Sequence, residues 1–183
     1  MAHVLIPLAQ GCEELEAVTI IDLLRRAGVD VTTAGLEQGP VTCSRGVVLM
    51  PDTILEKVLD NDFDMVVLPG GLPGADHLNE DPRIIALLQQ MAEKQKYTAA
   101  ICAAPKVLAN AGLLQGRQAT AYPGVLDALT LPDTQRRDAP VVVDGKIITS
   151  RGPGTAMDFA LKLIELLAGP EQRASVESGL VRS

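Results

Sequence analysis

The chain has 183 residues, 47% hydrophobic and 21% charged, with two Tyr, two Phe and no Trp. That length suits one hydrophobic core, so the expectation is a single domain over 1–183 with an aliphatic interior. The formal charge of −7, with no basic cluster beyond Arg25-Arg26 and Arg136-Arg137, argues against nucleic-acid binding. Three cysteines (Cys12, Cys43, Cys102) and two histidines (His3, His77) exclude a disulfide scaffold and a zinc site of paired ligands, so no metal or cofactor is expected. No apolar run approaches the roughly 20 residues of a membrane span. The segment Met1–Ile6 has no basic region of the kind that opens a signal peptide. The expected location is the cytoplasm.

In chain order, His3–Leu8 reads as a buried strand. Glu13–Ala27 reads as a helix stopped by Gly28, and Val29–Ala34 as a second strand. Val41–Met50 reads as a strand pair broken around Ser44-Arg45-Gly46. Thr53–Leu59 follows as a short helix. Asp64–Leu68 is a strand ending at Pro69-Gly70-Gly71. Asp81-Pro82 opens a helix to about Lys94, with Asp as cap and Pro in the first turn. Thr98–Ile101 is a strand, and Pro105–Ala111 a helix halted by Gly112. Val141–Thr149 is a hairpin about a two-residue Asp144-Gly145 turn. Thr155–Ala168 and Pro170–Leu180 are the last helices. This alternation predicts an α/β fold whose mostly parallel sheet carries helices on both faces. Such sheets bind ligands beyond the carboxyl ends of their strands. The loops to watch are therefore Ala9–Glu13, Pro69–Leu78 and Cys102–Pro105.

Cys102 falls between the run Thr98–Ile101 and the helix opening at Pro105, a strand-to-helix turn that holds a nucleophile out at the sheet edge. The helix start behind it would favour thiolate. Cys-Ala-Ala-Pro is not specific, and a buried structural thiol fits it as well. On a helical wheel, Ala17, Ile20, Leu23, Leu24 and Ala27 form the apolar arc. Glu13 and Glu16 fall inside that arc, whereas Glu14, Arg25 and Arg26 lie opposite or on its flank. Glu13 suits the positive end of the helix dipole. Glu16, one turn further in, suits it less well, and an acid on the packing face is costly unless it has a partner or a raised pKa. Such an acid can donate a hydrogen bond to a thiolate and shuttle a proton. Gly70-Gly71 reads as a turn, or as backbone aimed at an oxyanion. The Gly-rich stretch lacks dinucleotide and P-loop spacing. His77 lies near a candidate loop, and His3 reads as structural. Cys12 reads as a second thiol near the site or a small filler, and Cys43 as structural.

Six blocks together carry a resemblance: Gly11–Val18, Arg25–Gly28, Cys43–Arg45, Val67–Gly71, Ala99–Ala103 and Thr149–Thr155. With these the chain resembles the ThiJ/PfpI superfamily over essentially its whole length, in the branch of the human Parkinson disease protein and bacterial YajL. The resemblance implies a flavodoxin-like three-layer sandwich and a homodimer. It implies an oxidation-sensitive Cys102 hydrogen-bonded to a protonated Glu16, with Gly71 and Ala103 N–H groups as an oxyanion pocket. Gly70 and Arg45 would lie nearby. It also implies cofactor-free glyoxalase or deglycase activity on small reactive carbonyls or glycated side chains. A redox-responsive chaperone is the alternative, and an amidase or peptidase is less favoured. Where several relatives carry His before a Pro near the reactive Cys, this chain has Tyr122-Pro123. Tyr is a poor base near neutrality, so no Cys-His pair is available and the hydrolase reading weakens most.

Overall fold

A computed structural model describes residues 1–182. In chain order the elements are β1 (His3–Leu8), α1 (Glu14–Arg26), β2 (Asp30–Gly35), β3 (Val41–Thr42), β4 (Val48–Leu49), β5 (Thr53–Ile54), β6 (Met65–Leu68), α2 (Gly74–Glu80), α3 (Pro82–Glu93), β7 (Tyr97–Ile101), α4 (Pro105–Asn110), β8 (Gln118–Ala119), β9 (Gln135–Arg136), β10 (Val141–Asp144), β11 (Ile147–Ser150), α5 (Ala156–Ala168) and α6 (Pro170–Gly179).

The central sheet runs β10-β11-β7-β6-β1-β2-β5. Every neighbouring pair is parallel except β10 with β11 at one edge. Strand side chains alternate between two helical layers, as the two-residue period of a strand requires. Val4, Ile6 and Leu8 of β1, with Met65 and Val67 of β6, face the layer of α1, α5 and α6. Leu5, Val66 and Leu68 face the layer of α2, α3 and α4. The two layers close the sandwich expected from the alternation of strands and helices. Phe63 and Phe159 sit among fully buried Leu, Ile and Met side chains, each worth about 1.5–3 kcal/mol of burial. No helix among the described residues is long and apolar enough to cross a membrane.

Three local expectations change. Thr53–Leu59 is not a helix: Thr53 and Ile54 extend the sheet edge beside Ala34 and Gly35, and only a 3-10 turn, Leu55–Lys57, follows. β-Branched residues at an open edge gain more from pairing than from an isolated helical turn. The hairpin turn is shifted by one residue. Asp144 pairs with Ile147, so Gly145 and Lys146 form the loop, with Gly145 at φ +61°. Asp144 instead accepts hydrogen bonds from the Gln118 N–H and Arg117. Gly74–Glu80, expected as loop, is the short helix α2.

Candidate active site

The strands β1, β6 and β7 are adjacent in the sheet, and their carboxyl ends deliver three loops to one place. Cys102 is the residue after β7, with φ +65°. A left-handed conformation in a non-glycine residue costs energy and marks a forced turn. The ladder holds it on both sides. The Cys102 N–H donates to the Ser150 carbonyl at 3.0 Å, and its own carbonyl accepts from the Tyr122 N–H at 2.9 Å. The side chain is 8% exposed, and Ala103 and Ala104 add little bulk beside it.

Glu16 is fully buried on α1. The α1 entry fixes its approach: the Glu13 side chain caps the helix by accepting from the Glu16 N–H at 2.8 Å. The Glu16 Oε2 accepts from the Gly70 N–H at 2.8 Å. The Gly70 carbonyl in turn accepts from the Glu13 N–H at 2.9 Å. Both backbone groups of Gly70 are thus held by one helix start. The Glu16 carboxyl and the Cys102 side chain meet at Gly70, close enough for each to act on the other's proton. The other carboxyl oxygen, Glu16 Oε1, is buried with no hydrogen-bond partner among the described residues.

Gly70 lies where these groups converge. A Cβ added there would stand 2.6 Å from Cys102 Cβ and 2.8 Å from Glu16 Oε2. Gly71, at φ +87°, is packed against Cys12 and the Glu13 N–H. The backbone N–H groups of Gly71 and Ala103 favour negative charge on the Cys102 sulfur. Cys102, Glu16, Gly70, Gly71 and Ala103 therefore occupy one site.

Burial is the main force on the Glu16 pKa, lifting it to about 7 against the hydrogen bonds from Cys102 and Gly70. Burial, then the charge and hydrogen bond of an ionised Glu16, push the Cys102 thiol up to about 12, while Gly71 and Ala103 pull it down. The expectation of a thiol lowered by a helix start thus needs correction. α4 is only six residues long, and burial, then the carboxylate beside the sulfur, outweigh it. When Glu16 is neutral, its charge repulsion vanishes and its O–H donates to sulfur. Thiolate at Cys102 is therefore favoured only while Glu16 is protonated.

The remaining candidates lie further out. The Tyr122 side chain is 52% exposed, and its ring lies against Gly152. It lines a pocket of about 290 Å³ with Thr120, Arg137 and Arg151. Arg45 is tied to the β3–β4 loop and α1: its N–H donates to Glu14 and its guanidinium to the Ser44 carbonyl. His77 bonds the Gln10 carbonyl through Nδ1 at 2.9 Å. His3 bonds Thr32 and stacks on Phe63. A larger cleft of about 560 Å³ lies over the ends of β1 and β2, lined by Gln10, His77 and Arg83 among others, but not by Cys102 or Glu16.

Glu14 lies off the apolar arc of α1, yet it is not exposed. It is buried under the β3–β4 loop and accepts from Ser44 Oγ, Arg45 N and Val47 N at 3.0, 2.8 and 3.4 Å. Burial works to raise its pKa, but these donors together hold it below the usual carboxylate range.

The sequence model of the DJ-1/PfpI family matches residues 2–166. The chain belongs to the DJ-1/PfpI family. A Drosophila melanogaster relative, protein dj-1beta, is 47% identical over 178 residues, covering 97% of this chain and 95% of its own. The Danio rerio Parkinson disease protein 7 homolog is 43% identical over 180 residues, covering 97% and 95%. A Caenorhabditis elegans DJ-1/PfpI relative, 39% identical over 175 residues and covering 96% and 92%, is named as a glutathione-independent glyoxalase. The crystal structure of Drosophila melanogaster DJ-1beta superposes with a TM-score of 0.94 at 45% identity, covering 100% of this chain and 98% of that one. The flavodoxin-like arrangement is therefore that of DJ-1 proteins.

Proposed function

We propose that the chain is a cofactor-independent enzyme acting on small reactive carbonyls, of the glyoxalase or deglycase type, with Cys102 as nucleophile. The observation that carries this is Cys102, held at a left-handed strand-to-helix turn, beside the fully buried Glu16 carboxyl with only Gly70 between them. The family-level support is the glyoxalase name of the nematode relative.

With methylglyoxal, the Cys102 sulfur adds to the aldehyde carbon. The carbonyl electron pair moves to oxygen, which the Gly71 and Ala103 N–H groups stabilise and Glu16 protonates. Glu16, now a carboxylate, takes the C–H proton of the adduct and returns it to the adjacent carbon, while the hydroxyl proton passes from the first oxygen to the second, so that the ketone becomes the alcohol and the thiohemiacetal carbon becomes the thioester carbonyl. The product is a lactoyl thioester on Cys102. Water cleaves it to lactate, freeing the sulfur. On a glycated side chain the aminocarbinol C–N bond breaks as the C–S bond to Cys102 forms, the departing amine taking a proton; this frees the repaired residue, and the same thiohemiacetal then leads to lactate. No step needs a histidine, which suits the Tyr122 position.

The test is lactate formation from methylglyoxal by purified protein, in a buffer without amines or thiols. Cys102→Ala should abolish turnover; turnover equal to wild type overturns the reading. A second reading, a redox-responsive chaperone or sensor, draws on the same donors. Glu16 and the backbone N–H groups would hold the oxygens of a Cys102 sulfinate. Graded peroxide followed by mass spectrometry separates the two: selective gain of two oxygens at Cys102, with holdase activity but no turnover, favours the sensor.

The chain is also proposed to form a homodimer. Leu15 and Val18 on the outside of α1 and Val47, Val48 and Met50 of the β3–β4 segment are all large, apolar and exposed. Val18 and Met50 line one surface hollow, joining the two elements in one patch. A second copy is the occupant that the family resemblance favours. Light scattering should report a dimer for wild type and a monomer for Val48→Lys/Met50→Asp.

A further inference from the structure

Cys12 and Cys43 take no part in the proposed chemistry, yet their sulfurs are 3.5 Å apart. Cys12 ends the loop leaving β1, and Cys43 follows β3. Both are buried and free. The two backbones run side by side. The Gly11 N–H donates to the Thr42 carbonyl and the Ser44 N–H to the Cys12 carbonyl, each at 2.8 Å. Chains bonded in this way lie about 5 Å apart, inside the window of about 4.4–6.8 Å between Cα atoms that a disulfide needs. The sulfurs need approach by only about 1.5 Å to reach bonding distance.

We propose that Cys12 and Cys43 form a redox couple, closing to a disulfide when a small peroxide reaches them. In the first step the Cys43 thiolate attacks hydrogen peroxide, giving a Cys43 sulfenic acid and hydroxide, which takes up the proton the thiol lost to form water. In the second the Cys12 sulfur, losing its proton, displaces the sulfenic oxygen as a second water. Two thiols and one peroxide give one disulfide and two waters, the peroxide accepting the two electrons. Either sulfur can donate to the other, but their contact favours thiolate at Cys43 and disfavours it at Cys12, so Cys43 goes first. Burial raises both thiols, and Glu13 and Glu14, the charged groups that face them, raise them further. The reaction therefore accelerates as pH rises.

The bond would clip the β3–β4 segment to the loop that carries Glu13. That loop holds Gly70 through the Glu13 N–H, and Gly71 packs on Cys12 itself. Closure thus stiffens the backbone donors beside Cys102 without consuming Cys102.

The experiment uses Cys102→Ala protein, leaving only the two thiols of interest. Hydrogen peroxide is added at pH 7 and pH 9, followed by alkylation in denaturant and intact and peptide mass spectrometry. The expected result is monomer lighter by two hydrogens, alkylated thiols falling from two to none, and a peptide joining Cys12 to Cys43. Formation is faster at pH 9, and a reductant restores both thiols. Cys12→Ser and Cys43→Ser should each abolish the cross-link, with circular dichroism checking their fold. Cys12→Ala and Cys43→Ala serve if a serine variant unfolds. The proposal is overturned if both thiols still alkylate fully, if Cys43 gains oxygens while Cys12 remains a thiol, or if the cross-link joins two chains.

Discussion

Cys102 and the Cys12–Cys43 pair are both buried thiol sites, and in both burial raises the pKa. They differ in what surrounds the sulfur. Cys102 has backbone N–H donors from Gly71 and Ala103 and an acid that can itself hold the proton. Cys12 and Cys43 have only each other, with Glu13 and Glu14 disfavouring negative charge. Burial does not make a nucleophile. Donors aimed at the place where charge develops do so, because a dry site makes each of them count for more.

This contrast can be broken by exchanging roles. Cys102→Ser should lower turnover of methylglyoxal at least about 1000-fold, since the attacking atom is lost. Cys12→Ser and Cys43→Ser should stay within about threefold of wild type. Equal losses at all three positions would mean that the donors do not distinguish the sites.

Gly70→Ala should be next in size. Its Cβ would strike Cys102 Cβ, the Ile101 carbonyl and Glu16 Oε2, all within 2.8 Å. Overpacking of this kind costs about 1–3 kcal/mol of stability. A displaced acid should cost about 100-fold in rate. Chemical denaturation and initial rates measure the two effects separately.

Glu16→Gln removes the proton carrier and should lower the rate about 100-fold. Its stability should move the other way. The folded Glu16 pKa of about 7 lies above its unfolded value, so the native state binds the extra proton. Wild-type stability then falls as pH rises from about 4.5 to about 7 and is level above. Glu16→Gln should be more stable at pH 8 by up to about 3 kcal/mol, a gain that vanishes near pH 4. Denaturant melts at pH 4, 6 and 8 measure it. In wild type, turnover should rise through about pH 7, as the pair passes from two protons to one. A flat profile would separate Glu16 from the chemistry.

The smallest effect is expected at Tyr122→Phe, within about twofold in rate, because its side chain is half exposed and joins the site through its backbone N–H. A large loss there would move the proton relay away from Glu16.

Much of this arrangement was legible in the sequence because it rests on periodicity. The strand Val66-Val67-Leu68 is apolar at every position because both faces are covered. Glu16 interrupts an apolar arc that nothing polar should interrupt without a partner. Glu14 could not be read this way. A helical wheel distinguishes the core side of a helix from the other, but a loop that folds over the other side is invisible to it. Thr53 and Ile54 were lost for a related reason, since edge pairing depends on Ala34 and Gly35 far along the chain. Arg45 reached the candidate set through the resemblance, and the structure ties it to Glu14 instead. The Cys12–Cys43 contact spans 31 positions, and no local pattern connects them.

The first turns of α1 carry a mechanical consequence. Leu15 and Val18 look outward, while Glu16 looks inward to Gly70 and the sulfur. Glu13 grips Gly70 from the same turn. A small shift of the helix therefore carries the acid and the Gly70 backbone together, preserving their spacing while moving both relative to Cys102, which is anchored on β11. α1 is thus a lever. A load applied to its outer face is transmitted to the thiol as a change in one distance.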